Sequence, residues 1–396
     1  MGLLNWGLGC LRGYTVVQSI FQRFSSKIHI IRGTMTCDPW KGEFHPNPKT
    51  HSIPIILTES FRNIFGLAIC LFSIYHAFQL HTQMGVGVSA EIMQEFLLYL
   101  ISGTSITISL ASNHVMYFKD DWHVSYKDLF LLLDEVYEGN AFAWRGLHLD
   151  EILIYYLSSG IFLCAPCCCI LTLILDSFPF NRLISALCPF LTLPQVRITS
   201  CLISTTYTFL ALFPTLLVLL DALCYLSAMK CLMPFTYQSD MTKSTVLSEG
   251  KFERRRKLYL QLYLISVKAN ENVNVYVPTL ILVTIIISVA LWFTVIAMVH
   301  VMPLLIYLCF SLFAVVQLFL IFFISFLSIF PLSSSEEFQK CWRRRLAKKV
   351  QRLELKACQM VVVEVGPFFT FKHSTFINML CTILDYVLAL LLNFKI

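Results

Sequence analysis

The chain has 396 residues, of which 57% are hydrophobic, 14% aromatic and only 14% charged, and its mean hydropathy is +0.70. A soluble chain averages about 25% charged residues and cannot hide this much apolar surface, and a disordered chain carries far less of it. The net charge of +6 is too small to argue for a nucleic-acid partner, so the composition leaves an all-α polytopic protein in a lipid bilayer.

Residues 1–56 mix short apolar stretches with Arg12, Arg23, Lys27 and Arg32. No small-residue cleavage site follows a clean apolar run, so they read as a retained cytoplasmic segment and not a removed signal. A bilayer core about 30 Å thick needs about 20 apolar helical residues. Stretches free of Asp, Glu, Lys and Arg run over 63–90, 96–118, 152–175 and 198–220. Residues 272–335 hold none either, which is enough for two spans with a hairpin at 300–303, and 373–396 hold only Asp385 and Lys395. The expectation is seven transmembrane helices, six of them within 57–335, with polar loops at 113–150 and 230–271. The second loop contains the charged run 251–257.

Segment 336–365 is expected to begin as a separate amphipathic helix. Ser333 with Glu336, and Ser334 with Glu337, fit capping boxes. Phe338, Trp342, Leu346, Val350 and Leu353 then recur at steps of four or three, with Arg343, Arg344, Arg345, Lys348, Lys349 and Arg352 on the other faces. Pro367 after Gly366 interrupts it, so the last span belongs to a distinct segment, 366–396.

Orientation follows from charge, because loops retained in the cytoplasm concentrate Lys and Arg. With the N-terminus inside, all but Arg182, Arg197 and Lys395 of the 30 Lys and Arg lie on the inner side. Seven spans then put the C-terminus outside. Segments 113–150, 230–271 and 336–358 together make a cytoplasmic body.

Chemical motifs are sparse. No P-loop, H-E-x-x-H or G-x-S-x-G occurs. His76, His81, His114 and His300 fall at scattered depths without i, i+4 pairing, and cysteines 167–169 read as small apolar filler. Neither enzymatic activity nor a metal or cofactor is expected. The informative stretch is the last span, where Asp385 sits well inside. A carboxylate at mid-bilayer costs about 2.5–3.5 kcal/mol on insertion scales and so faces protein or water. On a helix, Asp385, Ala389, Leu392, Asn393 and Ile396 share one face, and Leu384, Val387, Leu388 and Leu391 lie opposite. Two arrangements would serve Asp385. It could pair inside a monomeric bundle, or several copies could meet about an axis in an acidic ring that favours cations, with Leu392 as a constriction closing by dewetting.

The tail resembles the final helix of the insect odorant and gustatory receptor superfamily. Odorant members run Gly-x-Phe-Phe, then Thr-Phe, then a Tyr-containing Leu-rich stretch. Gly366, Phe368, Phe369, Thr375, Phe376 and Tyr386 keep that spacing. Gustatory members run Thr-Tyr, five apolar residues, then Gln-Phe; here Asp385-Tyr386 and Asn393-Phe394 are separated by six residues, one too many. The resemblance implies a homo- or heterotetrameric chemosensory cation channel of the plasma membrane, opened by a small-molecule tastant or odorant. The last helix would line the pore through Asp385, Ala389, Leu392 and Asn393, with Leu390 and Phe394 replacing Ala389 and Asn393 if the extra residue is an insertion. It also implies a ligand pocket in the outer half of the spans, for which the candidate aromatics are Phe96, Tyr99, Phe162, Tyr207, Trp292, Tyr307 and Phe310. The competing expectation is a non-conducting seven-helix receptor that signals to a cytoplasmic partner through its basic loops.

Overall fold

The computed structural model describes residues 35–38, 43–46, 53–83, 90–118, 128–129, 131–133, 135–136, 172–174, 178–237, 249–300, 302–346 and 348–393. In chain order they form strands β1 (Met35–Asp38) and β2 (Glu43–Pro46), then helices α1 (Ile53–Gln83), α2 (Ala90–Phe118), α3 (Pro179–Leu187) and α4 (Leu193–Leu232). A 3-10 turn (Met233–Thr236) leads to α5 (Glu249–Val273), α6 (Tyr276–Ala297), α7 (Leu304–Arg345) and α8 (Lys349–Ala357). A short antiparallel hairpin of β3 (Glu364–Val365) and β4 (Phe369–Thr370) precedes α9 (His373–Asn393).

Among the described residues, α1, α2, α6, α7 and α9 contain stretches long and apolar enough to cross a bilayer. The expected fourth span falls in α4, whose 40 residues extend about 60 Å. The expected third span lies outside the described residues except for 172–174, and Phe162 and cysteines 167–169 lie outside with it.

Two cores organise the bundle. One, called the outer core after the side on which the charge pattern of the sequence would place it, joins α1, α2, α3, α4, α6 and α7 around Ile69, Leu97, Phe180, Tyr207, Phe293 and Phe310. Small and hydroxylated residues allow its helices to approach. A Cβ on Gly66 of α1 would collide with the Tyr207 hydroxyl of α4, and one on Gly103 of α2 would stand 3.4 Å from the Ser73 Cβ. Thr104, Thr107 and Ser112 donate their hydroxyls to carbonyls one turn back, at 2.7, 2.9 and 2.9 Å, so α2 carries them through apolar surroundings at little cost.

The second core is the anchor, built from the C-terminal half of α4, the 3-10 turn, α5, the C-terminal half of α7 and α8. Tyr259 stacks on Phe338 at 4.1 Å, and Phe252 meets Trp342 edge-on at 5.2 Å. Trp342 Nε1 donates to the Thr236 carbonyl at 3.0 Å. Lys230, 1% exposed on α4, places Nζ over the Phe326 and Phe330 rings at 5.1 and 5.5 Å, which lets its charge sit beside the apolar spans.

The expected helix start at Ser333 or Ser334 does not occur. α7 passes through Pro331 and both serines without a break and runs 42 residues, about 63 Å. The reason is tertiary: Leu327 before the proline and Phe338 and Trp342 after it all enter the anchor core, so one helix buries them all. The break comes instead at Leu346, which is extended (ψ 119°). Arg352 Nε caps the broken end by donating to the Leu346 carbonyl at 2.7 Å. The expected apolar stripe therefore divides. Phe338, Trp342 and Leu346 are buried, whereas Val350 and Leu353 on the redirected α8 are exposed.

From α8 the chain returns as an extended strap, residues 358–363, between α5 and α7. Its backbone is satisfied by side chains. Tyr259 Oη donates to the Gln359 carbonyl at 2.7 Å, and Ser266 Oγ and Asn270 Nδ2 donate to that of Val362 at 3.2 and 2.9 Å. From α7, Gln339 Nε2 donates to the Cys358 carbonyl at 3.0 Å, and Ser335 Oγ accepts from Val361 N at 3.0 Å. Burial pushes the Tyr259 phenol up to about 12 and raises the Cys358 thiol. The hairpin that follows turns on Gly366 at φ +53°, where a Cβ would stand 2.7 Å from the Asn274 carbonyl. Only glycine fits both the left-handed backbone and the close approach to the α5–α6 junction.

Candidate functional site

α9 lies against α6 and α7 along one stripe. Met379, Ile383 and Val387 are buried against Ile281, Ile285, Val289 and Trp292 of α6 and Ile321 of α7. Phe376 meets Phe322 of α7 edge-on at 5.7 Å. The spacing of three and four residues is that of a helix presenting a narrow apolar seam. This packing divides the face expected opposite Asp385: Val387 is buried and Leu391 half-buried, while Leu384 and Leu388 are exposed.

All four candidate pore residues, Asp385, Ala389, Leu392 and Asn393, are exposed on α9, Leu392 at 79%. Asp385 has no ion pair among the described residues, so it is not paired inside the described bundle. In the alternative register, Leu390 packs partly against the outer core, and Phe394 lies outside the described residues. Coverage of α9 is the lowest of the five spans, 17% buried where the others reach 28 to 39%.

The second candidate site is the outer core. It brings together Phe96, Tyr207, Trp292, Tyr307 and Phe310. Tyr99, 1% exposed, joins through Phe72 and His76, whose rings lie 6.1 and 5.3 Å from its own. Tyr307 Oη donates to the Val295 carbonyl of α6 at 3.3 Å. The hydroxyls of Tyr99 and Tyr207 are buried without a hydrogen bond among the described residues. Phe162 lies outside the described residues.

Sequence reasoning missed α3. Its Phe-Pro-Phe start drives Phe178 and Phe180 into the outer core, where Phe180 meets Tyr207 at 6.1 Å and Phe65 at 6.3 Å. Asn181 Nδ2 fixes the segment by donating to the Thr172 carbonyl at 2.7 Å, and Ser200 of α4 donates to the Phe180 carbonyl at 3.3 Å. The available signal was the apolar triplet Phe178-Pro179-Phe180 between the expected third and fourth spans. Among the described residues, no three His, Cys, Asp or Glu side chains group closely enough to hold a metal.

This bundle, with a helix-built anchor and a thinly covered last span, matches solved structures. One is the insect olfactory receptor OR5 from Machilis hrabei, with a TM-score of 0.58 and 12% identity over 88% of this chain and 92% of that one. The fold is that of an insect olfactory receptor. The same receptor solved in complex with eugenol aligns with the same score and identity, over 89% of this chain and 94% of the receptor. No protein-family model matches the chain, and no curated protein matches its sequence. The olfactory-receptor fold therefore rests on tertiary arrangement and not on residue identity, as its all-helical multi-span character requires.

Proposed function

We propose that the chain belongs to the insect odorant and gustatory receptor superfamily and is a subunit of a ligand-gated, non-selective cation channel of the plasma membrane. Seven helices cross the membrane, the N-terminus is cytoplasmic and the C-terminus extracellular. Four subunits meet about an axis, as a homo- or heterotetramer. The anchor, including 336–365, holds them together, and segment 366–396 supplies one pore helix from each. Small tastants or odorants bind in the outer core, a reading supported by the likeness to a receptor solved in complex with eugenol. The binding must differ between closed and open states to move the gate. Contacts on α6 and α7 reach α9 directly, because Trp292 touches both the outer core and the α9 seam.

The observation that carries this reading is the exposed, unpaired Asp385 on the least covered span. A carboxylate at that depth demands water or protein, and a ring of copies supplies both. Recordings from cells expressing the chain, alone or with a second subunit, test it. Asp385→Ala is expected to cut ligand-evoked cation current severalfold and to shift its ion selectivity. Currents identical in size and selectivity for Asp385→Ala and Asn393→Ala would remove this face from the pore.

A further inference from the structure

The outer ends of α1, α2 and α3 bring together polar groups that packing alone does not explain. Glu95 and Tyr99 lie one turn apart on the same face of α2. Tyr99 is 1% exposed, and its hydroxyl is buried with no hydrogen bond. Its ring cannot swing to find a partner. It stacks on His76 of α1 at 5.3 Å with 18° between the planes, and His76 is held in turn by Phe72 at 4.3 Å. Glu95 is four-fifths covered and is steadied by Arg182 of α3, whose Nη2 stands 3.5 Å from its Oε1. Arg182 itself is more than half exposed, so the pair lies at the protein surface. A buried donor fixed in place beside a held carboxylate, and given nothing by the protein, is a costly arrangement for a fold and a useful one for a ligand.

The chemistry it fits is specific. Tyr99 Oη can donate one hydrogen bond, and the Glu95 carboxylate can accept one. A ligand hydroxyl accepts from the first and donates to the second. A carbonyl or ether can only accept, and a hydrocarbon can do neither. We propose that Tyr99 and Glu95, positioned by His76 and Arg182, form a subsite that selects alcohols and phenols carried on an apolar body. This rests on the outer core being the ligand site. Phe72 joins the two, because it touches both Tyr99 and the outer core, so a ligand's apolar body continues into that core.

The test uses the full chain in phosphatidylcholine nanodiscs and three probes of matched shape: 4-ethylphenol, its methyl ether 4-ethylanisole, and 4-ethyltoluene. Affinity is read from ligand-induced thermal stabilisation, with currents recorded separately from expressing cells. The phenol is expected to bind about tenfold tighter than the ether, one charge-assisted hydrogen bond's worth. Glu95→Gln should bring that ratio down towards one, Tyr99→Phe should weaken phenol and ether alike and keep the ratio, and both should leave 4-ethyltoluene unchanged. The unliganded Tyr99→Phe protein should melt no lower than the parent, since the hydroxyl serves no partner in the fold. Equal affinity for phenol and ether, binding by none of the three, or a lowered melting point in Tyr99→Phe would each overturn the proposal. Discrimination without any evoked current upholds the subsite and removes the channel reading instead.

Discussion

Tyr259 and Tyr207 are both tyrosines that the bundle hides, one in the anchor and one in the outer core, and their hydroxyls are treated in opposite ways. In the anchor, Tyr259 donates to the strap at Gln359, and Tyr263 beside it is bonded to the Gln359 side chain. The neighbouring polar groups Ser266, Asn270, Ser335, Gln339 and Trp342 likewise each serve a backbone group on another element. In and beside the outer core, Tyr207 and Tyr99 end in hydroxyls that no group among the described residues answers. Polar groups bonded across several elements hold one geometry, whereas a buried group left unanswered is one that a ligand could complete. The two tyrosines lie in two cores joined by α4 and the unbroken α7.

That contrast can be broken at its strongest point first. Trp342→Ala removes a buried ring and its bond to Thr236, and should cost about 3–5 kcal/mol, read as a large fall in melting temperature of the purified protein. Survival near the parent temperature would mean the anchor is not the fixed part. Gly366→Ala comes next, at about 1–3 kcal/mol, because it needs a left-handed alanine whose Cβ presses the Asn274 carbonyl. Its readout is a lower melting point together with loss of current, as the hairpin leads straight into α9. The smallest effect sharpens the comparison most. Tyr259→Phe should cost about 1 kcal/mol by orphaning the Gln359 carbonyl, while Tyr207→Phe should cost nothing. Equal losses from the two substitutions in matched melts would erase the distinction between the halves.

Much of the fold was legible along the chain. The apolar stretches around 63–90, 96–118 and 272–335 and the tail were readable because a bilayer imposes length and polarity on any helix that crosses it. The turn between α6 and α7 was readable from the proline at 303. The capping boxes at Ser333 and Ser334 misled, since a local signal worth about 1 kcal/mol yields to a core that buries Leu327, Phe338 and Trp342 on one helix. The stripe through Val350 and Leu353 misled for the same reason, because periodicity shows that a face is apolar but not where the helix will bend. At the outer site, most of the aromatics expected there gather in one cluster, yet α3 went unseen. Its Phe178 and Phe180 gain meaning only once α4 and α1 are beside them.

Composition and charge alone determined that this chain is a helical membrane protein with its basic residues concentrated in a few segments, because solvent and lipid act on each residue without reference to its neighbours. The side of α9 that meets its own subunit, the serine that holds a strap instead of capping a helix, and the tyrosine left without a partner were decided only by tertiary structure. Each depends on which distant residue arrives alongside, and no local pattern encodes that.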